Sequence, residues 1–154
     1  MEIIHVQNPK QLDIFREVCF DYYAYILEKY AVDMGYEYFK NEMASLPGEY
    51  VPPKGCLLLA IDGEMADGCG GLRSINAETG ELKRVFVRPK YQGRGIGRAL
   101  SKELIAVGRE IGYLILQVHT ARFLTEAMNM YQELGFQELR KPESSEVILE
   151  LSIS

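Results

Sequence analysis

The tightest local constraint in this chain is the run Tyr91-Gln92-Gly93-Arg94-Gly95-Ile96-Gly97-Arg98, which follows the apolar triplet Val85-Phe86-Val87 and precedes Ala99-Leu100. The triplet reads as the end of a β-strand. Ile96, Ala99, Leu100, Leu104, Val107 and Ile111 then trace one face of a helix that stops at Gly112. A strand that turns through glycines into a helix leaves the first helical N–H groups unpaired, and the helix dipole favours negative charge there. Such a junction suits a phosphate, and the glycines let the backbone approach it closely. Two familiar phosphate loops do not fit. The run lacks a Gly-Lys-Ser/Thr ending, and its Gly-x-Gly-x-Gly spacing is not the dinucleotide Gly-x-Gly-x-x-Gly.

Charge distribution points the same way. The chain carries a formal net charge of -5, yet seven basic residues and no acidic one lie between Leu82 and Lys102: Lys83, Arg84, Arg88, Lys90, Arg94, Arg98 and Lys102. One short basic block in an acidic chain lacks the broad electrostatic footprint of a nucleic-acid binder. A compact, highly charged small molecule fits better. Residues 11–50 hold eight acidic side chains (Asp13, Glu17, Asp21, Glu28, Asp33, Glu37, Glu42 and Glu49) against Arg16, Lys29 and Lys40. That segment reads as a solvated helix face, or alternatively as a wall attracting a cationic substrate.

A length of 154 residues is that of one domain, expected to span 1–154. The longest apolar run, Cys56 to Ile61, is far too short to cross a membrane, and the first residues lack a basic region followed by an apolar stretch. Cys19, Cys56 and Cys69 form neither a disulfide framework nor a zinc-binding pattern, and they read as small core residues. A cytoplasmic location is expected. Along the chain, Glu2 to Val6 reads as a strand, and Pro9 to Ser45 as two helices broken near Gly35. Gly55 to Ile61, a hairpin turn at Asp62-Gly63, Glu64 to Ile75, a turn at Ala77-Glu78-Thr79-Gly80, and Glu81 to Arg88 form an antiparallel meander. The helix to Gly112 and a strand from Tyr113 to His119 complete a right-handed crossover, which makes the last two strands parallel. A helix from Leu124 to Leu134 ends at Gly135, and Phe136 to Arg140 and Glu146 to Ile153 close the chain as strands turned by Pro142. The class is α/β (α+β).

Gln92-Gly93-Arg94-Gly95-Ile96-Gly97 resembles the Q/R-x-x-G-x-G/A pyrophosphate loop of the GNAT superfamily of N-acetyltransferases, preceded by the supporting context Glu81 to Pro89. Tyr131-Gln132-Glu133-Leu134-Gly135-Phe136 resembles the Tyr-x-x-x-Gly-Phe of that superfamily's last motif, with Ala127 at its small-residue position. The resemblance covers about Gly55 to Ile153 well and the N-terminal helices loosely. It implies the GNAT fold: a mixed, mostly antiparallel, twisted sheet with a central parallel strand pair, flanked by about four helices. It also implies acetyl-CoA as co-substrate and a small-molecule or protein amine as acceptor; two distant histidines support no metal, the charge pattern and short apolar runs support no nucleic-acid or membrane partner, and a homodimer is left open.

By the same resemblance, Glu81 is the candidate general base and Tyr131 the candidate acid, while the Val85 N–H is the donor to the developing oxyanion at a bulge. Val85, Phe86, Val87, Gln92, Gly93, Arg94, Gly95, Ile96, Gly97 and Arg98 are the candidate cofactor-binding residues. Tyr131 suits hydrogen-bond donation better than full proton transfer, because a phenol with pKa about 10 is a weaker acid than a thiol at about 8.5. The structural alternative for Glu81 is a surface carboxylate paired with a neighbour such as Lys83, and for Tyr131 a core tyrosine. Leu124 departs from the superfamily, which often has asparagine there. His119, at a strand end, reads as structural, and His5 has no motif around it. The tyrosines at 22, 23, 25, 30, 36 and 38 read as core packing, with an acceptor pocket as the other option. Gly68-Cys69-Gly70-Gly71 reads as a bulge or a close backbone approach. The competing function is a non-catalytic acyl-CoA-binding sensor or partner-binding domain.

Overall fold

A computed structural model describes residues 1–33, 35–139 and 146–154. Seven strands, β1 (Glu2–His5), β2 (Cys56–Asp62), β3 (Met65–Ser74), β4 (Thr79–Val87), β5 (Ile115–Ala121), β6 (Gln137–Leu139) and β7 (Glu146–Ser152), form one sheet in the order β1-β2-β3-β4-β5-β7-β6. The helices are α1 (Pro9–Tyr30), α2 (Tyr36–Ser45), α3 (Ile96–Ile111) and α4 (Thr125–Glu133), with a 3-10 turn at Pro89–Tyr91. All neighbouring strands run antiparallel except β4 and β5. The parallel pair follows from the α3 crossover, which returns the chain to the same end of the sheet. The expected fold is the one observed.

Sequence alternation assigns the two faces. On β2, Cys56, Leu58 and Ala60 join a core with Leu100 and Leu104 of α3 and Met128 and Tyr131 of α4. Leu57 and Leu59 point the other way, to Phe15, Val18, Cys19 and Tyr23 of α1 and Phe39 and Met43 of α2. Both faces of the central strands are therefore buried, each Leu contributing roughly 1.5–3 kcal/mol by its removal from water. All three cysteines are buried, as expected of small apolar residues.

Local chemistry sets the helix ends. The Asn8 side chain accepts from the Gln11 N–H at 2.9 Å and Pro9 opens α1. Gly112, at φ 103°, ends α3. The second hairpin turn differs from the expectation: Thr79 and Gly80 belong to β4 rather than to the turn. The Asn76 side chain accepts from the N–H groups of Glu78 and Thr79 at 2.9 and 3.0 Å, which moves the bend two residues earlier. Gly80 then gives the Tyr113 ring its place, since a Cβ would lie 2.8 Å from that ring. The first hairpin turn is at Gly63-Glu64, one residue later than expected, and the expected turn at Pro142 lies outside the described residues.

Close backbone approach explains the glycines of β3. A Cβ on Gly68 would lie 2.8 Å from the Phe86 carbonyl oxygen and 3.2 Å from Leu100 Cδ1. Gly68→Ala is expected to destabilise the fold by about 1–3 kcal/mol through this overpacking. Urea denaturation measures it, and a loss below about 0.5 kcal/mol, the scale of an ordinary surface substitution, would mean that β3 and β4 part freely there.

Candidate active site

A β-bulge on β4 organises the site. Lys83 pairs with Gly71 and Phe86 with Cys69, so Arg84 and Val85 together oppose Gly70 alone. Arg84 takes φ 58°, in the left-handed region. The extra residue reverses the alternation of the strand. Before it, Leu82 faces α3; after it, Val85 and Val87 pack on that core while Phe86 packs on the α1 side. Registered pairing between β4 and β5 runs from Thr79–Ile115 to Leu82–Val118 and is not continued past the bulge.

Beside β4, past the end of that pairing, lies a cavity of about 360 Å³. Val85 and Val87 border it, as do Gln92, Gly93, Gly95, Ile96, Gly97 and Arg98 of the glycine-rich junction and Tyr131 of α4. From α1 come Tyr22, Tyr25, Lys29 and Tyr30, so elements from both faces of the sheet meet in one space. α3 opens on Gly95, at φ 80°, without a side-chain cap and without an acidic residue in its first turn. Gly93 also has φ 80°, and nothing lies within 4 Å of where a Cβ would stand on either glycine. Uncapped N–H groups in an open, glycine-lined setting suit a pyrophosphate.

Gln92 braces this junction. Its Nε2 donates to the Val87 carbonyl at 3.2 Å, and its Oε1 accepts from the Tyr25 hydroxyl at 3.4 Å. Lys29 Nζ donates to Tyr25 Oη at 2.8 Å and sits 5.3 Å from the centroids of both the Tyr25 and Tyr30 rings. Arg98 is paired with Glu133, and Arg94 lies over the Tyr91 ring at 5.4 Å. Arg94 and Phe86 do not line the cavity, in contrast to the other candidate cofactor-binding residues.

Tyr131 is only 5% exposed and packs edge-on against Phe136 at 5.5 Å. Burial holds its phenol well above the ordinary tyrosine range, with the nearby Ser101 hydroxyl acting in the other direction. Ser101 itself donates to the Gly97 carbonyl at 2.8 Å, in the first turn of α3. Tyr22 stacks on Phe86 at 4.2 Å, and burial, followed by the neighbouring Tyr30 and Tyr25, pushes its phenol up to about 12. Of the six N-terminal tyrosines, 22, 25 and 30 line the cavity, Tyr23 packs in the core, and Tyr36 and Tyr38 are exposed. Core packing therefore accounts for only one of them. Their helical spacing could not separate these fates, because 22, 25 and 30 share a face that would pack equally well on a closed sheet.

Glu81 stands apart from the cavity lining. It is 4% exposed, on the α1/α2 face, one residue before the last registered β4–β5 pair. Its partner is Arg73, whose Nε donates at 2.9 Å, and not Lys83. His119 Nε2 lies 3.8 Å from the second Glu81 oxygen, while His119 Nδ1 is 3.3 Å from Glu146 Oε1. The acidic N-terminal segment is also more than a solvated face: Asp21 pairs with Arg88 and Glu42 with Arg84. Leu124 lines the cavity and offers α4 no side-chain cap. Among the described residues, no group of three or more His, Cys, Asp or Glu could hold a metal ion, and no helix is long and apolar enough to cross a membrane.

Residues 13–136 match the model of the acetyltransferase (GNAT) family. The chain is 30% identical to an uncharacterized N-acetyltransferase of Schizosaccharomyces pombe, across 88% of this chain and 82% of that one. Its fold is similar to the PaiA N-acetyltransferase of Thermoplasma acidophilum in complex with coenzyme A, with a TM-score of 0.76, 20% identity, and coverage of 99% and 100% of the two chains. A GNAT family acetyltransferase from Elizabethkingia anophelis with acetyl-CoA bound gives a TM-score of 0.66 and 22% identity over 99% of this chain and 97% of that one. With its bulged β4, glycine-rich entry to α3 and Tyr131 at the end of one cavity, this chain belongs to the acetyltransferase (GNAT) family.

Proposed function

We propose that the protein transfers an acetyl group from acetyl-CoA to a primary amine, by direct attack of the amine within a ternary complex. One observation carries this reading: a single cavity runs from the uncapped start of α3 to Tyr131 and is bordered from both faces of the sheet. Donor and acceptor can therefore enter from opposite faces. No side-chain nucleophile is needed, and all three cysteines are buried in the core. Acetyl-CoA supplies the activated acyl group.

Gly93 to Arg98 offer backbone N–H groups and positive charge to the pyrophosphate. Val85, Phe86 and Val87 offer backbone groups to the pantetheine arm, as an adjacent strand would. The Val85 N–H, at the bulge where the β3–β4 register breaks, serves the acyl oxygen as charge builds on it. Tyr131 donates a hydrogen bond to the leaving sulfur. Because burial raises its pKa further above that of a thiol at about 8.5, proton transfer from it is unfavourable and the phenol remains a donor. An alkylamine with pKa about 10.4 is almost wholly protonated at neutral pH, so a base has much to contribute. Glu81 has that role, reaching the amine directly or through water from the α1/α2 face beside the gap.

Release of thiol from acetyl-CoA across a panel of amines tests the reaction; coenzyme A binding without turnover on any amine would instead support an acyl-CoA sensor. Glu81→Gln is expected to lower kcat/KM at pH 7 by about a hundred-fold, with a smaller deficit at higher pH as the amine loses its proton unaided. An unchanged profile would leave Glu81 as a structural partner of Arg73. Tyr131→Phe is expected to lower kcat about ten-fold at unchanged acetyl-CoA affinity, the scale of one hydrogen bond. Since the wild-type phenol stays protonated past its ordinary pKa of about 10, the pH profile should have no alkaline limb attributable to it. A limb below about pH 10 that disappears in Tyr131→Phe would overturn the raised pKa, and with it the case for donation over proton transfer.

A further inference from the structure

A second polar cluster lies on the α1/α2 face, outside the cavity. Across β3 and β4, Arg73 is opposite Glu81 and Gly71 is opposite Lys83. Lacking a side chain, Gly71 lets the Tyr50 ring lie against the sheet beside Lys83; a Cβ would come within 3.0 Å of Tyr50 Cδ1. The carboxylates here are already engaged. Arg73 is bound by Glu81 at 2.9 Å and by Glu49 at 3.5 Å, and Arg84 is bound by Glu42.

Two groups are left over. Among the described residues, no carboxylate lies within 4.0 Å of the partly buried Lys83 ammonium. Tyr50 is 6% exposed, and its buried hydroxyl has no hydrogen-bond partner among the described residues. Glu42, Arg73, Arg84 and Glu81 are the charged groups around it. Glu42 and Glu81 act on Lys83 from a distance, but each is bound to an arginine, so this half-buried cation and the buried donor without an acceptor both carry a desolvation penalty that a carboxylate would relieve. One positive charge and one neutral donor match the single charge and two oxygens of a carboxylate better than a dianionic phosphate. Glu81 and Lys83 lie two residues apart on the same face of β4, about 7 Å along the strand.

We propose that Lys83 and Tyr50 form an anion subsite beside Glu81 that binds a carboxylate on the acceptor, so that the amine acetylated belongs to an amino acid or a similar carboxylated amine. This inference rests on the acetyltransferase reading above. Matched acceptors test it: lysine against 1,5-diaminopentane, and phenylalanine against 2-phenylethylamine, with kcat/KM measured by thiol release. The carboxylated member of at least one pair should be preferred by at least about ten-fold, the scale of a charge-assisted hydrogen bond. Lys83→Met should reduce that preference about ten-fold or more, Lys83→Arg should retain most of it, and Tyr50→Phe should reduce it several-fold. Coenzyme A binding by each variant confirms that it is folded. Wild-type turnover of the decarboxylated amines as fast as or faster than their acids overturns the subsite alone, as does a preference that survives Lys83→Met. Failure of every amine to turn over while coenzyme A binds overturns the acetyltransferase reading and the subsite with it.

Discussion

One extra residue on β4 governs the rest of the structure. Because Arg84 and Val85 together oppose Gly70, the strand changes which residues face which helix layer halfway along its length. Without the bulge, Arg84 would point into the apolar core with Leu104 and Val85 would face α1. With it, Val85 and Val87 border the cavity, whereas Glu81, Lys83 and Arg84 gather on the opposite face. The same irregularity lies just past the end of the β4–β5 ladder, and the cavity beside it is bordered from both faces. In a sheet with unbroken pairing, the backbone groups of this region would be spent on its neighbours.

The N-terminal helices are aligned on β4 by charge as well as by apolar packing. Asp21 of α1 reaches Arg88, and Glu42 of α2 reaches Arg84, whose guanidinium also lies 5.1 Å over the Phe39 ring. The Arg84–Glu42 pair is largely withdrawn from water, so removing one partner would strand the other, a loss on the order of 3–5 kcal/mol. The more exposed Arg98–Glu133 pair is worth far less, and Arg98 can exchange Glu133 for an anionic ligand at little penalty. The N-terminal helices thus neutralise Arg84 and Arg88, while Arg98 at the glycine-rich junction is held only by an exposed pair.

Much of this was legible along the sequence. Periodicity placed the strands and helices, and the glycines before Ala99 marked the uncapped entry to α3, because both depend on residues near one another in the chain. Three features were not legible. The turn before β4 begins earlier than composition suggests, since a single Asn76 side chain outweighs the flexibility of Gly80. The tyrosines of α1 divide between core and cavity because the sheet beneath them is open on one side and closed on the other. The partner of Glu81 is across the sheet on β3, eight residues away, while Lys83, its near neighbour on the strand, stays apart.

By itself the sequence determined the order of the elements, the parallel crossover and the glycine-rich junction before α3, because helix and strand periods and glycine-rich turns act over a few residues. Tertiary structure alone decided which elements border one cavity and which charges near Glu81 form direct ion pairs. Those properties arise only when β3, β4, α1 and α2 are brought together, since cross-strand register and burial are relations between residues that the chain order leaves far apart.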